Sequence, residues 1–126
     1  MKKLRFCLIL TIVLLNLKEV YGCSCALQTP QAHFDQADVV FIGKVLEVDA
    51  AWGQQEVELE VLEISKLDDE DDAEEEKFTV YTALNEAECG YNFEKSGVYQ
   101  VFANREDGRL ITDLCSGNQR FRSYEN

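Results

Sequence analysis

Cys23, Ser24 and Cys25 are the residues of this 126-residue chain best placed for chemistry, because they follow directly on a stretch built like a secretory signal. Cleavage there makes Cys23 the first mature residue and sets a free α-amino group beside a thiol or a disulfide. The signal has three parts: basic Met1-Lys2-Lys3-Leu4-Arg5, an apolar run from Phe6 to Leu15, and a polar stretch ending Val20-Tyr21-Gly22. The apolar run is too short for a membrane span, so a secreted, extracellular protein is expected. Val20-Tyr21-Gly22-Cys23 also passes as a bacterial lipoprotein cleavage box. On that alternative Cys23 is lipidated, its amine acylated, and the protein anchored at a surface or held in a periplasm. Tyr21 is awkward in such a box, and Lys18-Glu19 separates it from the apolar run.

Cys7 leaves with the signal, and Cys23, Cys25, Cys89 and Cys115 remain. In an oxidising compartment four cysteines read as two disulfides. Cys23 and Cys25 are poor partners for each other, so two pairings stay open, each tying the N-terminal strip to the later half of the chain. Either closes long loops, each worth about 4 kcal/mol by the chain-entropy estimate. A four-cysteine zinc site fits poorly, because Cys-x-Cys does not match the usual ligand spacing. His33 is the only histidine, no nucleophile and base are paired, and no glycine-rich phosphate loop is present. Neither an enzyme nor a cofactor is expected on these grounds.

Residues 23–126 make one small domain. Removing residues 1–22 takes away four of the 12 basic residues and one of the 24 acids, leaving eight against 23 and a net charge of −15. That charge repels phosphates and heparin-like polyanions alike, and no basic stripe is visible, so nucleic acid is excluded as a partner.

Thr29 caps a short helix that begins at Pro30 and turns Phe34 and Ala37 toward the core. A long strand runs from Asp38 to Asp49, with Val40, Ile42, Leu46 and Val48 on one face and Val39, Phe41 and Val45 on the other. Gly43 marks a bulge or bend within it, and Trp52 falls in the following hairpin loop, where an exposed aromatic is a candidate contact but simple packing is the expected reading. The next strand alternates through Glu56-Val57-Glu58-Leu59-Glu60-Val61 and changes phase at Leu62, the signature of a bulge. Further strands are expected over Phe78 to Ala83, Val98 to Ala103 and Arg109 to Leu114, with Asp107-Gly108 turning the last hairpin. Five bent strands and one small helix suggest an all-β, Greek-key barrel of the oligonucleotide/oligosaccharide-binding type. Between strands two and three, eight of the nine residues from Asp68 to Glu76 are acidic. The run reads as a solvated, mobile loop and lacks the ligand spacing and glycine of a calcium loop.

Cys-Ser-Cys at 23–25, then Pro30-Gln31, Phe34 and Ala37-Asp38-Val39-Val40, resembles the start of a tissue inhibitor of metalloproteinases, without a gap. Tyr81-Thr82-Ala83 leading to Cys89-Gly90, Tyr99, and Ile111-Thr112 before Leu114-Cys115 keep the same order. The resemblance spans about residues 23 to 115. It implies a netrin-like, five-stranded barrel with Cys23 paired to Cys89 and Cys25 to Cys115. Asp35 stands where that family has a third cysteine, whose partner is also missing, and neither a terminal helical segment nor a C-terminal domain is expected.

The resemblance also implies a mechanism: secreted, monomeric inhibition of a zinc metalloprotease through the amine and carbonyl of Cys23, which chelate the catalytic zinc of the target. A catalytic zinc keeps one position open for water, and a neutral amine with its adjacent carbonyl can fill it as a five-membered chelate. Ser24 then points into the protease pocket, and Cys25, Ala26 and Leu27 continue along the cleft. Glu86, Ala87, Glu88 and Cys89 form the second half of the wedge, where Glu86 and Glu88 depart from the family and restrict which proteases are accepted. The alternative class is a netrin-like interaction or structural module that inhibits nothing. An inhibitor needs the free amine of Cys23, whereas a scaffold needs only its sulfur.

Overall fold

The protein is described by a computed structural model over residues 2–5, 7 and 22–125. Most of the proposed signal segment lies outside the described residues. Helix α1, Pro30–Gln36, is followed by strands β1 Val39–Ala51, β2 Gln54–Lys66, β3 Lys77–Ala83, β4 Val98–Glu106, β5 Arg109–Ile111 and β6 Gln119–Arg120. One-residue-in, one-residue-out alternation builds these strands, and the apolar set facing inward meets itself when the sheet closes. Neighbours run β1-β2-β3-β5-β4, and β4 returns to pair with β1, closing a five-stranded ring. β3 and β5 pair in parallel, the other ring contacts are antiparallel, and β6 adds to β4 at Tyr99↔Arg120 and Gln100↔Gln119. This is the Greek-key barrel expected.

Three expectations need correction. The strand from Arg109 stops at Ile111, because Thr112 to Asn118 turn away to carry Cys115. β6 has no counterpart among the expected strands, since Gln119-Arg120 offers no apolar alternation to read. Leu46 and Val48 do not continue the face of Val40: Val45 pairs with Leu59 and Glu47 with Glu58, so Leu46 is an extra residue and the phase reverses, returning Val48 to the inner core.

Val39, Phe41, Val45, Val57, Leu59, Phe78, Val80, Tyr99 and Val101 fill the barrel interior. On the outer face of β1, Val40 and Phe102 pack with Ala37, and Phe34 from α1 covers them. This accounts for the stretch of β1 that is apolar on both sides. Thr29 Oγ1 accepts from Ala32 N at 3.1 Å, the cap read from sequence. The phase change in β2 is a bulge, with Gly43 opposite Val61 and Ile42 opposite Glu63, so that Leu62 is the extra residue. Gly43 is required there, because a Cβ would stand 2.8 Å from the Phe41 ring and 3.1 Å from the Glu60 carbonyl.

The acidic segment is exposed, as its charge requires, yet it is ordered into a 3-10 turn, Glu70–Glu74, with the Asp69 side chain capping Asp71 N. Arg105 on β4 clasps it, reaching Asp68 through two bonds of 3.0 Å and Asp72 through one of 2.7 Å.

Candidate functional site

Cys23 bonds to Cys89 and Cys25 to Cys115, with Cα separations of 5.1 and 5.2 Å. Of the two pairings open on residue arithmetic, this is the one the family resemblance implied. The bridges lie side by side, with Cys23 Sγ 3.9 Å from Cys115 Sγ. Sulfurs of Cys23, Cys89 and Cys115 fall within 4.8 Å of one another, but each is committed to a disulfide, so the cluster is a double staple and not a metal site.

Each anchor is fixed from the barrel side. Ala83 ends β3, and Asn85 starts a tight turn, Glu86–Glu88, in which Asn85 Oδ1 accepts from Glu88 N at 3.1 Å and Asn85 O from Gly90 N at 2.8 Å. The turn delivers Cys89 in the left-handed region at φ 66°. Gly90 follows because a Cβ there would collide with the Ala83 and Asn85 carbonyls. Tyr91 N donates to buried Thr82 Oγ1 at 2.9 Å, and the Tyr91, Phe93 and Tyr99 rings pack at centroid distances of 4.7 to 5.9 Å. Burial in this cluster pushes the Tyr91 hydroxyl pKa up.

Cys115 is placed by a second network. Asp113 Oδ1 accepts from Cys115 N at 2.8 Å, and Leu114 N donates to Cys89 O at 2.8 Å, tying the two anchors together. Asn118 donates to Thr112 Oγ1 and accepts from Phe102 N, while Thr112 donates to Phe102 O, so the loop is bolted to β4.

Against these anchors lies the N-terminal strip. Cys23 is half-buried and Ser24 to Thr29 are exposed; among the described residues, no backbone hydrogen bond joins Ser24 to Gln28 to the barrel. The strip is therefore an irregular exposed segment tied down by two covalent bonds, with its amides and carbonyls unused by the barrel. Glu86, Ala87 and Glu88 stand exposed beside it, brought there by the Cys23–Cys89 bridge. In the chain as described Gly22 still precedes Cys23, so the amine becomes free only when that peptide bond is cut.

A family model for tissue inhibitor of metalloproteinase matches residues 21–124. The chain belongs to that family. No individual curated protein matches it significantly. Family membership carries metalloproteinase inhibition as the family-level role, which is that of an inhibitor and not an enzyme. No described helix is long and apolar enough to cross a membrane.

Two exposed apolar residues join the site: Leu84, which the sequence does not mark, and Trp52, for which packing is the expected reading. Trp52, at φ 54° in the two-residue turn between β1 and β2, is fully exposed rather than packed, and Leu84 is also exposed. The pairing Gln54↔Ala83 and a 2.8 Å bond from Gln55 Nε2 to Ala83 O set the hairpin tip at the end of the barrel where the 84–89 segment begins. The dipeptide Trp52-Gly53 is the only sequence signal for this, and it marks a turn without revealing what lies beside it.

Proposed function

We propose that this protein is a secreted inhibitor whose processed N-terminus caps the catalytic zinc of a target metalloproteinase. One observation carries the reading: both disulfides anchor an exposed strip whose backbone makes no bond to its own barrel. A protease cleft binds a chain by its backbone, and a strip already tethered at Cys23 and Cys25 loses less conformational entropy on entry than a free N-terminus would. Cys23 supplies the α-amino nitrogen and carbonyl oxygen to zinc. Ser24 enters the adjoining pocket, and Cys25, Ala26 and Leu27 follow the cleft. Glu86 to Cys89 form the second edge of the wedge, with Leu84 and Trp52 as apolar flanks.

The zinc belongs to the target, and the strip resists cleavage because its first residue occupies the position of the catalytic water. The test compares the mature protein beginning at Cys23 with the same protein carrying one added alanine, against a panel of zinc metalloproteinases. Inhibition by the first and not by the second establishes capping. Equal behaviour, or no inhibition by either, leaves a non-inhibitory netrin-like module as the reading, and a mass increase at Cys23 shows the lipidated form.

A further inference from the structure

Three bulges interrupt the β1–β2 ladder, where Leu46, Leu62 and Ser65 have no partner in register. Each extra residue turns the chain out of its alternation, and two of the three are leucines. The outer face there carries two outward leucines: Leu46 and Leu62, with Leu62 48 % exposed, line a groove of ≈ 870 Å³ whose floor is closed by the edges of Val61 and Ile64, both packed against the barrel core. Isolated surface leucines are ordinary; these two stand out because both are bulge residues set in one groove with acidic walls.

The same stretch of β2 is an open strand edge. β3 pairs with β2 only as far as Glu60↔Lys77, Val61 N then donates to Glu76 O at 2.8 Å, and among the described residues no strand lies against Leu62 to Ser65 on that side. The facing wall is the end of the acidic segment, Ala73 to Glu76, whose preceding turn is held by the Arg105 clasp. Glu60 and Glu63 complete the rim from the strand side. Lys77 is the one basic lining residue, and it is 3.4 Å from Glu58.

We propose that this groove docks an extended cationic segment of a partner protein, in which apolar residues alternate with lysine or arginine, added as a strand along Leu62 to Ser65. Its backbone would satisfy the open edge, its apolar side chains would cover the leucines, and its cations would meet the glutamates on both walls. A second copy of this acidic chain is a poor occupant, because like charges oppose it. The groove opens beside Lys77 at one end of β3, whereas the N-terminal strip is stapled beyond Ala83 at the other. Seven residues of strand place the two sites roughly 20 Å apart. One molecule could hold a protease at one end and the cationic partner at the other, and the groove does not depend on the protease reading.

The probe is a fluorescein-labelled peptide of alternating lysine and valine, about ten residues long, titrated into the mature protein and followed by anisotropy. A lysine–serine peptide of equal charge should bind roughly tenfold more weakly. Leu62→Asn, which leaves the charge unchanged at an already exposed bulge, should cost a similar factor, and amide shifts should concentrate in residues 61–65 and 73–77. Should that variant misfold, Glu74→Gln with Glu75→Gln and Glu76→Gln removes the wall instead and should weaken binding likewise. Equal affinity for both peptides, indifference to these substitutions, or shifts scattered over the acidic surface would mean generic attraction of a polycation and would overturn the proposal. The alanine-extended protein should bind the peptide as the native one does, whatever it does to proteases.

Discussion

A single amine decides the reading at the residue scale, and its ordinary titration sets a pH signature. An α-amino group titrates near 8, and only the neutral form has a lone pair for zinc. Inhibition should therefore weaken as pH falls below about 8, approaching a tenfold rise in Ki per unit, measured with a protease whose own activity is flat in that range. A flat profile would show that Cys23 does not coordinate through nitrogen. Glu86 and Glu88 act on selectivity: with both changed to glutamine, the protein should inhibit a wider set of proteases than the native form. An unchanged set would put these acids outside the contact. The Cys-x-Cys signal is legible in the sequence because two cysteines directly after an expected cleavage site leave little choice but a stapled N-terminus. The loop position of Trp52 is legible too, but its exposure and its place beside Leu84 are not, because only the β2–β3 register shows which barrel end the hairpin occupies.

Bulges and tight turns position the site at the element scale. The bulge at Leu62 can be read because apolar residues on both sides of it lie in opposite phase. The one at Leu46 cannot, because a leucine fits the outward alternation begun at Val40 and only the pairing of Val45 and Glu47 with adjacent β2 residues exposes it. Gly90→Ala should lower stability by about 1–3 kcal/mol through the collision with the Ala83 and Asn85 carbonyls. It should also weaken inhibition through Cys89, both effects being readable from thermal melts and titration of a protease. The acidic turn answers to Arg105, whose guanidinium hydrogen bonds hold the Asp68 carboxyl below its usual pKa. A carboxylate depressed in the folded state contributes stability above its unfolded pKa near 4 and loses it as pH falls through the folded value. Arg105→Met should thus cost at most about 1 kcal/mol at neutral pH, since the pair is partly exposed. The gap between the two melting curves should close in acid; a gap that persists there would mean that Arg105 stabilises by packing alone.

At the scale of the whole molecule, two staples and a closed barrel divide the labour. The ring closes through β1–β4 pairing without help from the disulfides, and Arg120 ties the last turn down by gripping Glu125 through bonds of 2.7 and 3.0 Å and Glu94 through one of 2.8 Å. The bridges span 66 and 90 residues, so each removes about 4 kcal/mol of unfolded-state entropy. That is a large share of the roughly 5–15 kcal/mol by which a domain is usually stable. The Cys25–Cys115 bridge has a second consequence, because it alone fixes the strip beyond Ser24. Replacing both of its cysteines with serine should cost about 4 kcal/mol of stability and leave the amine of Cys23 in place. At a temperature where circular dichroism shows the barrel intact, stability no longer limits inhibition. Any remaining loss then reports the ordering of Ser24 to Thr29 upon binding. Several residues at about 1 kcal/mol each imply a rise in Ki of more than roughly tenfold. An unchanged Ki under those conditions would mean that the cleft orders the strip by itself, leaving the second bridge a purely structural part of the barrel.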